Sequence, residues 1–360
     1  MHGTIATIRK ILLIPTRTSY SNMAKPKILI VGCGAVGLSQ GYHLQAGAEI
    51  IYLVRPNRSS AFAPPKSLYD YKTDRLHTFS DYRVIESTTE VASEEFYCVF
   101  DTLDGHAAQS ESGIKTLKSV GDLVRGSSKT FVVYDAIGAD IEQHYANTMG
   151  IPKTRLVFAL SMFAHQPTSL ISAPPSANRE LIAQADMLYS TINANVGLAV
   201  VNKNAELTRL LEAVYNQNGR VIIQRQPAIV GDLVMLAMVQ LMVWNIEGWA
   251  PWPHLQNSGE SWTLLLRAQK EILALPRFGW TGWILSWFMG SWITAKSIET
   301  PIKGALPLSF HEFNAFHHGN KVVKQDIEVL EQLVVEGEKA KVKMVALQEV
   351  CRQARKTLEK

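Results

Sequence analysis

Three glycines, Gly32, Gly34 and Gly37, stand at the spacing G-x-G-x-x-G inside the run KILIVGCGAVGLSQGYHL, Lys27 to Leu44. The chemistry this spacing serves is the holding of a pyrophosphate. Gly32 permits a tight strand-to-helix turn, Gly34 lets the backbone approach the ligand, and Gly37 lets the helix sit close on the sheet. Phosphates then rest at the positive end of the helix dipole. The candidate dinucleotide-binding residues are therefore Gly32, Cys33, Gly34, Ala35, Val36 and Gly37. A second apolar run, Glu49 to Val54, closes a β-α-β unit and is followed by Arg55 instead of the acidic residue that reads a ribose hydroxyl. An arginine there can grip a 2′-phosphate, with Asn57 and Arg58 as further donors, so the expected cofactor is NADP, as NADPH.

These residues need a sheet to carry them. Short apolar runs at Tyr82 to Ile85, Phe96 to Asp101, Phe131 to Asp135, Leu156 to Leu160, Val196 to Val201 and Arg220 to Gln224 read as strands. Helical segments at Ala107 to Leu117, Ile141 to Met149 and Glu206 to Gln217 alternate with them. That alternation predicts an open, mostly parallel sheet. Ser59 to Leu76 reads as a loop and Ala177 to Ile192 as a helix. After Pro227 the pattern is almost wholly helical. The expected fold class is α/β: a Rossmann-like, mostly parallel sheet domain over 25–225, then an all-α domain over 226–360 for substrate or dimerisation. The last segment, Asn320 to Lys360, is helical and charged, with Gly337 as its only obvious breaker.

All eight tryptophans fall between Trp244 and Trp292. Trp280, Trp283 and Trp287 share one helical face, and Phe278 to Ala295 is a stretch of 18 residues without a charge. Its glycines and isolation argue against a membrane span. A buried core helix is the favoured reading, ahead of a lining for an apolar small-molecule substrate, a membrane-surface contact or a homodimer contact.

The net charge is +4, of which Arg9, Lys10 and Arg17 contribute three before Met23, leaving the body at +1. No basic patch points to nucleic acid. Three cysteines, Cys33, Cys98 and Cys351, suit a reducing compartment and no disulfide framework. Residues 1–24 form an extension without an acidic side chain in 1–22. Met23 followed by AKPKILIVG reads as the start of a cytoplasmic protein, the alternative being a mitochondrial transit peptide. HEFNAFHH fails the H-E-x-x-H spacing because Ala315 replaces the second ligand, so no zinc site is expected, and no G-x-S-x-G elbow occurs.

With GCGAVG at the amino end, an arginine after the second strand, and a Rossmann-like half followed by a helical half, the chain from Lys25 onward resembles the ketopantoate reductase family. The resemblance implies NADPH-dependent reduction of a carbonyl, with substrate in the cleft between the two halves. Gly32, Gly34, Gly37 and Arg55 match the family. In FDTLDGH, Asp104 stands where the family has a lysine beside the cofactor, and Ala136, Ile137 and Gly138 replace its Gln-Asn-Gly turn. The family's catalytic lysine opens the first long helix of the second half, near Gly231, Asp232 and Leu233 here, and no lysine lies between Lys203 and Lys270. The family's late glutamate corresponds to Glu312, with Asn314 close by.

Protonation of a carbonyl oxygen must then fall to another group, from among His165, Tyr215, Asp232, His254 and Glu312. Asp232 and Glu312 are the catalytic candidates. Loss of the cation and the tryptophan cluster together point to a bulky apolar substrate, possible in secondary metabolism, instead of a small 2-oxo acid. The alternative function is a non-redox cyclase or isomerase, or a dinucleotide-binding protein on a degenerate reductase scaffold.

Overall fold

The computed structural model describes residues 25–166 and 173–359. The expectations for the amino-terminal extension lie outside the described residues. Twelve strands run in chain order: β1 Lys27–Val31, β2 Glu49–Leu53, β3 Lys66–Asp70, β4 Arg75–Phe79, β5 Tyr82–Ile85, β6 Cys98–Asp101, β7 Phe131–Tyr134, β8 Leu156–Ser161, β9 Phe163–Gln166, β10 Met187–Thr191, β11 Val196–Val201 and β12 Ile222–Gln226. Eight of them form one sheet in the order β12-β11-β8-β7-β6-β1-β2-β5. All its pairings are parallel except β8 with β11.

The continuous apolar character of the central strands has a direct cause. Each face of the sheet is covered, so alternate residues enter different cores. Ile28 and Ile30 pack into one cluster, Leu29 and Val31 into the other. The covering helices are α1 Ala35–Leu44, α2 Gly105–Gln109, α3 Glu111–Arg125, α4 Ile141–Met149 and α6 Ala205–Tyr215; the short α5, Arg179–Ile182, packs on β4 instead.

Two expectations fail between β2 and β11. The segment read as a loop over 59–76 contains β3 and the start of β4, a hairpin that belongs to a second sheet of order β4-β3-β10-β9. The helix expected over 177–192 is reduced to the single turn of α5. Met187 to Thr191 instead forms β10, whose burial between β3 and β9 outweighs any helical periodicity. Chain leaving β8 enters β9 after one residue, so the large sheet feeds the small one.

The helical region comprises α7 Val230–Ile246, α8 Glu260–Leu273, α9 Gly279–Phe288, α10 Ser291–Ala305, α11 Phe310–Phe316, α12 Val323–Lys339 and α13 Val345–Thr357. α7 is apolar on nearly every side because α8, α12 and α13 surround it. Gly337 lies inside α12, and the break comes after Lys339. A π turn, His317–Lys321, separates α11 from α12, and the Val322 N–H reaches back five residues to the His317 carbonyl at 2.9 Å.

The favoured reading of the uncharged tryptophan helix is overturned. Trp244, Trp249 and Trp262 are buried, but Trp280, Trp283 and Trp287 on α9 are 76%, 62% and 72% exposed, and Phe288 and Trp292 are exposed beside them. α9 buries only Gly282 and packs Leu285 inward. Helical spacing places three rings on one face and leaves open which way that face turns. Among the described residues, no helix is long and apolar enough to cross a membrane.

Candidate active site

The glycine turn is built as its spacing requires. Gly32 has φ +92°, donates its N–H to the Leu53 carbonyl at 2.9 Å, and sits where a Cβ would come within 2.8 Å of Thr102 Oγ1. A Cβ on Gly37 would stand 2.2 Å from the Gly32 carbonyl oxygen. Gly34 caps α1 with extended backbone, is exposed, and has open space where a side chain would be. No side chain caps the first turn and no acidic residue lies in it. The open, positive helix end fits a pyrophosphate. Ala35 packs on the sheet core and Cys33 is buried, its thiol pushed up to about 12 by burial, so it fills space and is no nucleophile at neutral pH.

Arg55, two residues beyond β2, is an exposed side chain without a hydrogen bond or ion pair among the described residues. The backbone N–H groups of Asn57, Arg58 and Ser59 all donate to the Glu86 carboxylate, at 2.8, 3.0 and 2.8 Å. The Ser59 hydroxyl first, and then these backbone bonds, hold Glu86 down at about 2. The loop backbone is thus satisfied internally. The side chains of Arg55, Asn57 and Arg58 are exposed there and can meet a phosphate.

From the glycine turn a cavity of about 330 Å³ runs to the helical region. Val36, Thr102 and Leu103 line it on the sheet side. Val234, Ala237, Met238, Leu241 and Trp244 of α7, Ile298 and Pro301 of α10, and Phe310 and Phe313 of α11 supply an apolar wall. Its polar groups include Asp104, Asp135, His165, Asn314, His317, His318, Lys321 and Gln325. Asp104 caps α2, accepting the Ala107 N–H at 2.8 Å. Burial pushes the Asp135 carboxyl up to about 7, with neighbouring Asp101 adding to the rise and the Ser161 N–H, at 3.3 Å, opposing it.

The π turn aims three basic side chains at this cavity. His318 Nδ1 lies 2.6 Å from the carboxylate of Asp326, which is fully buried. The second Asp326 oxygen accepts from the Gln325 amide at 3.2 Å, and Gln325 Oε1 accepts the N–H groups of Gly105 and Ile137 from the ends of the sheet. A chain of hydrogen bonds therefore fixes the π turn to the carboxyl edge of the large sheet. Lys321 is an exposed residue that also lines the cavity; desolvation by the surrounding protein lowers its pKa, and Asp104 opposes that shift. Its ammonium has no hydrogen bond or ion pair among the described residues.

Of the sequence-derived candidates, the structure brings Val36, His165 and Asn314 to this cavity. Asp232 lies elsewhere, in a polar cavity of about 120 Å³, with its carboxylate 3.9 Å from Arg277. Its pKa is raised by burial, which Arg277 and Lys203 oppose. Glu312 opens α11 outside the lining of the main cavity, near Tyr71, and its Oε2 is buried without a hydrogen-bond partner. Tyr215 is buried and donates to Gln40 at 2.8 Å; His254 is exposed, 3.5 Å from Glu247. Lys321, His317 and the His318–Asp326 pair, which the structure brings to or beside the cavity, are not among the sequence-derived candidates. The one available signal in the sequence is the basic run HHGNK after HEFNAF. Among the described residues, no group of three or more His, Cys, Asp or Glu is arranged to hold a metal ion.

No protein-family profile matches the sequence, and no curated protein matches it. Solved structures do match in fold. The 2-dehydropantoate 2-reductase of Geobacter metallireducens is 15% identical with a TM-score of 0.61, over 92% of this chain and 99% of that one. The 2-dehydropantoate 2-reductase of Methylococcus capsulatus is 17% identical with a TM-score of 0.61, over 92% and 96%. A D-mandelate dehydrogenase, in a ternary structure with NADH and anilino(oxo)acetate, is 10% identical with a TM-score of 0.65, over 92% and 97%. At such identities the likeness is one of architecture, and it runs through sheet and helices alike: the chain is built on the fold of the 2-dehydropantoate 2-reductases.

Proposed function

We propose that this chain is a nicotinamide-dinucleotide-linked oxidoreductase that reduces a carbonyl group of a bulky, largely apolar substrate, with NADPH as the reduced cofactor. The observation that carries the reading is the continuity of one cavity from Val36, in the glycine turn, to Lys321 and the His318–Asp326 pair. The D-mandelate dehydrogenase with NADH bound supports the cofactor class. In this reading residues 25–225 hold the dinucleotide and 226–360 wrap the substrate.

The residues present fit the cofactor: the helix end behind Gly34 is open and uncapped, and Arg55 is free to pair with a 2′-phosphate. The α1 amino terminus and Arg55 would hold the reduced dinucleotide, whose chemistry when bound would be donation of a hydride to a carbonyl carbon. Lys321 gives a proton to the carbonyl oxygen, yielding the alcohol, and its neutral amine is reprotonated from solvent. A lowered pKa suits the ammonium to this task, since a better acid transfers its proton more readily. His318, backed by Asp326, is the adjacent proton carrier. The apolar wall keeps water from the reacting carbon and sets the body of the substrate.

The test is a titration of the purified chain with NADPH and NADH, followed by nicotinamide fluorescence. NADPH binding that Arg55→Ala weakens more than NADH binding supports the site; binding of neither refutes it. Lys321→Met should keep cofactor affinity and lower kcat about 10²- to 10⁴-fold. In the parent protein the reduction rate should fall with rising pH at a point below the ordinary lysine value of 10.5. Cofactor that binds and is never consumed by bulky ketones would favour the non-redox use of the scaffold.

A further inference from the structure

Two imidazoles on the cavity wall lack hydrogen-bond partners that the fold should supply. His165, on β9, is 3% exposed, and neither ring nitrogen meets a partner in hydrogen-bond geometry, although the Phe163 backbone lies near enough to favour the charged ring. His317 Nδ1 is buried and unpartnered in the same way. The two rings meet edge to face at 5.0 Å, and Phe313 stacks on His317 at 5.4 Å. Buried polar groups are normally paired, so an orphan on a cavity wall points to a partner that arrives with the ligand. A third buried imidazole, His43, also lacks partners, but it stacks on Phe163 at 5.0 Å and lines no part of the cavity. His43 is used as a flat ring, whereas His165 and His317 face usable space.

Both are held neutral, His165 at about 3, by burial first and the nearby Lys321 charge second; His317 is lowered by burial, then His318 and His165. A neutral imidazole offers one N–H and one lone pair. That pair of groups suits a hydroxyl or a keto oxygen and supplies no countercharge for a carboxylate. Resting on the oxidoreductase reading above, we infer that His165 and His317 bind a second, neutral oxygen of the substrate, beside the carbonyl that reacts, so that the substrate class is a bulky hydroxyketone or diketone.

Calorimetric titration of the cofactor-free chain tests this with three probes: benzoin, deoxybenzoin, which lacks only the hydroxyl, and the anion benzoylformate. Benzoin should bind about tenfold tighter than deoxybenzoin, the size of a neutral hydrogen bond made to an otherwise unpaired buried group. His165→Leu should remove that preference while leaving deoxybenzoin affinity within about twofold, which also reports an intact cavity. His165→Gln, which keeps a donor and an acceptor, should retain part of it. Equal affinities in the parent protein, a preference that survives in the Leu variant, or benzoylformate binding tighter than benzoin would overturn the inference. Binding of neither ketone overturns the apolar-cavity reading beneath it as well. Discrimination without turnover on adding NADPH leaves the inference standing and removes the hydride step alone.

Discussion

Replacing Asp135 by Asn removes a charge that the fold resists. Asp135 follows β7, accepts the Ser161 N–H at 3.3 Å, and donates its own N–H to the Asp101 carbonyl at 3.3 Å. Burial pushes its carboxyl up to about 7, against about 3.9 in an unfolded chain. The folded state therefore binds this proton more tightly than the unfolded state does. Below about pH 4 both states are protonated and the group is neutral toward stability; between about pH 4 and 7 the unfolded chain ionises first, so stability falls as pH rises. At about 1.4 kcal/mol per unit over about three units, the ceiling is about 4 kcal/mol. Solvent reaching the group from the cavity halves this to about 2 kcal/mol. Asn keeps an oxygen for the Ser161 N–H and carries no charge. Urea unfolding from pH 4.5 to 8 should show Asp135→Asn more stable by about 2 kcal/mol at pH 8, the advantage vanishing toward pH 4. A difference that is the same at every pH, or absent at pH 8, refutes the assignment of this charge penalty to Asp135.

Three further outcomes are expected. Asp326→Asn takes the carboxylate from His318 Nδ1 and should lower kcat about 10-fold to 10³-fold while NADPH affinity holds, measured by steady-state turnover beside fluorescence titration. Gly37→Ala places a methyl group 2.2 Å from the Gly32 oxygen, so the turn must open, and NADPH binding should be lost with thermal stability lowered. Trp283→Ser combined with Trp287→Ser removes rings that are 62% and 72% exposed; the melting temperature should move little and retention on a hydrophobic column should drop, whereas a large loss of stability would mean these rings are packed in solution.

What was legible in the sequence followed from how strongly local pattern and tertiary demand agree. Strands covered on both faces announce themselves as unbroken apolar runs, so β1, β2, β7, β8 and β11 were readable within a residue or two. β3 and β4 were not, because KSLYD and RLHTF mix polar and apolar residues on a half-covered sheet. The glycine turn was readable because few residues tolerate φ +92° at Gly32 or the crowding at Gly37. Lys321 was obscured for a different reason. The resemblance places a cation on α7, while folding delivers an ammonium to the same cavity from a segment some ninety residues later.

The π turn at His317–Lys321 has a consequence for insertions and deletions. An α-helix advances about 100° per residue, so one residue more or fewer between α11 and α12 rotates everything beyond it by that angle. Asn314 and Phe313 are phased by α11, whereas Gln325 and Asp326 are phased by α12. Both sets reach one cavity network only because the wide turn absorbs the mismatch. Removing Gly319 alone, with every cavity-lining side chain retained, would regularise the helix and swing His318 away from Asp326. Chain length at this turn, as much as residue identity, decides whether His318 and Asp326 meet beside the cavity.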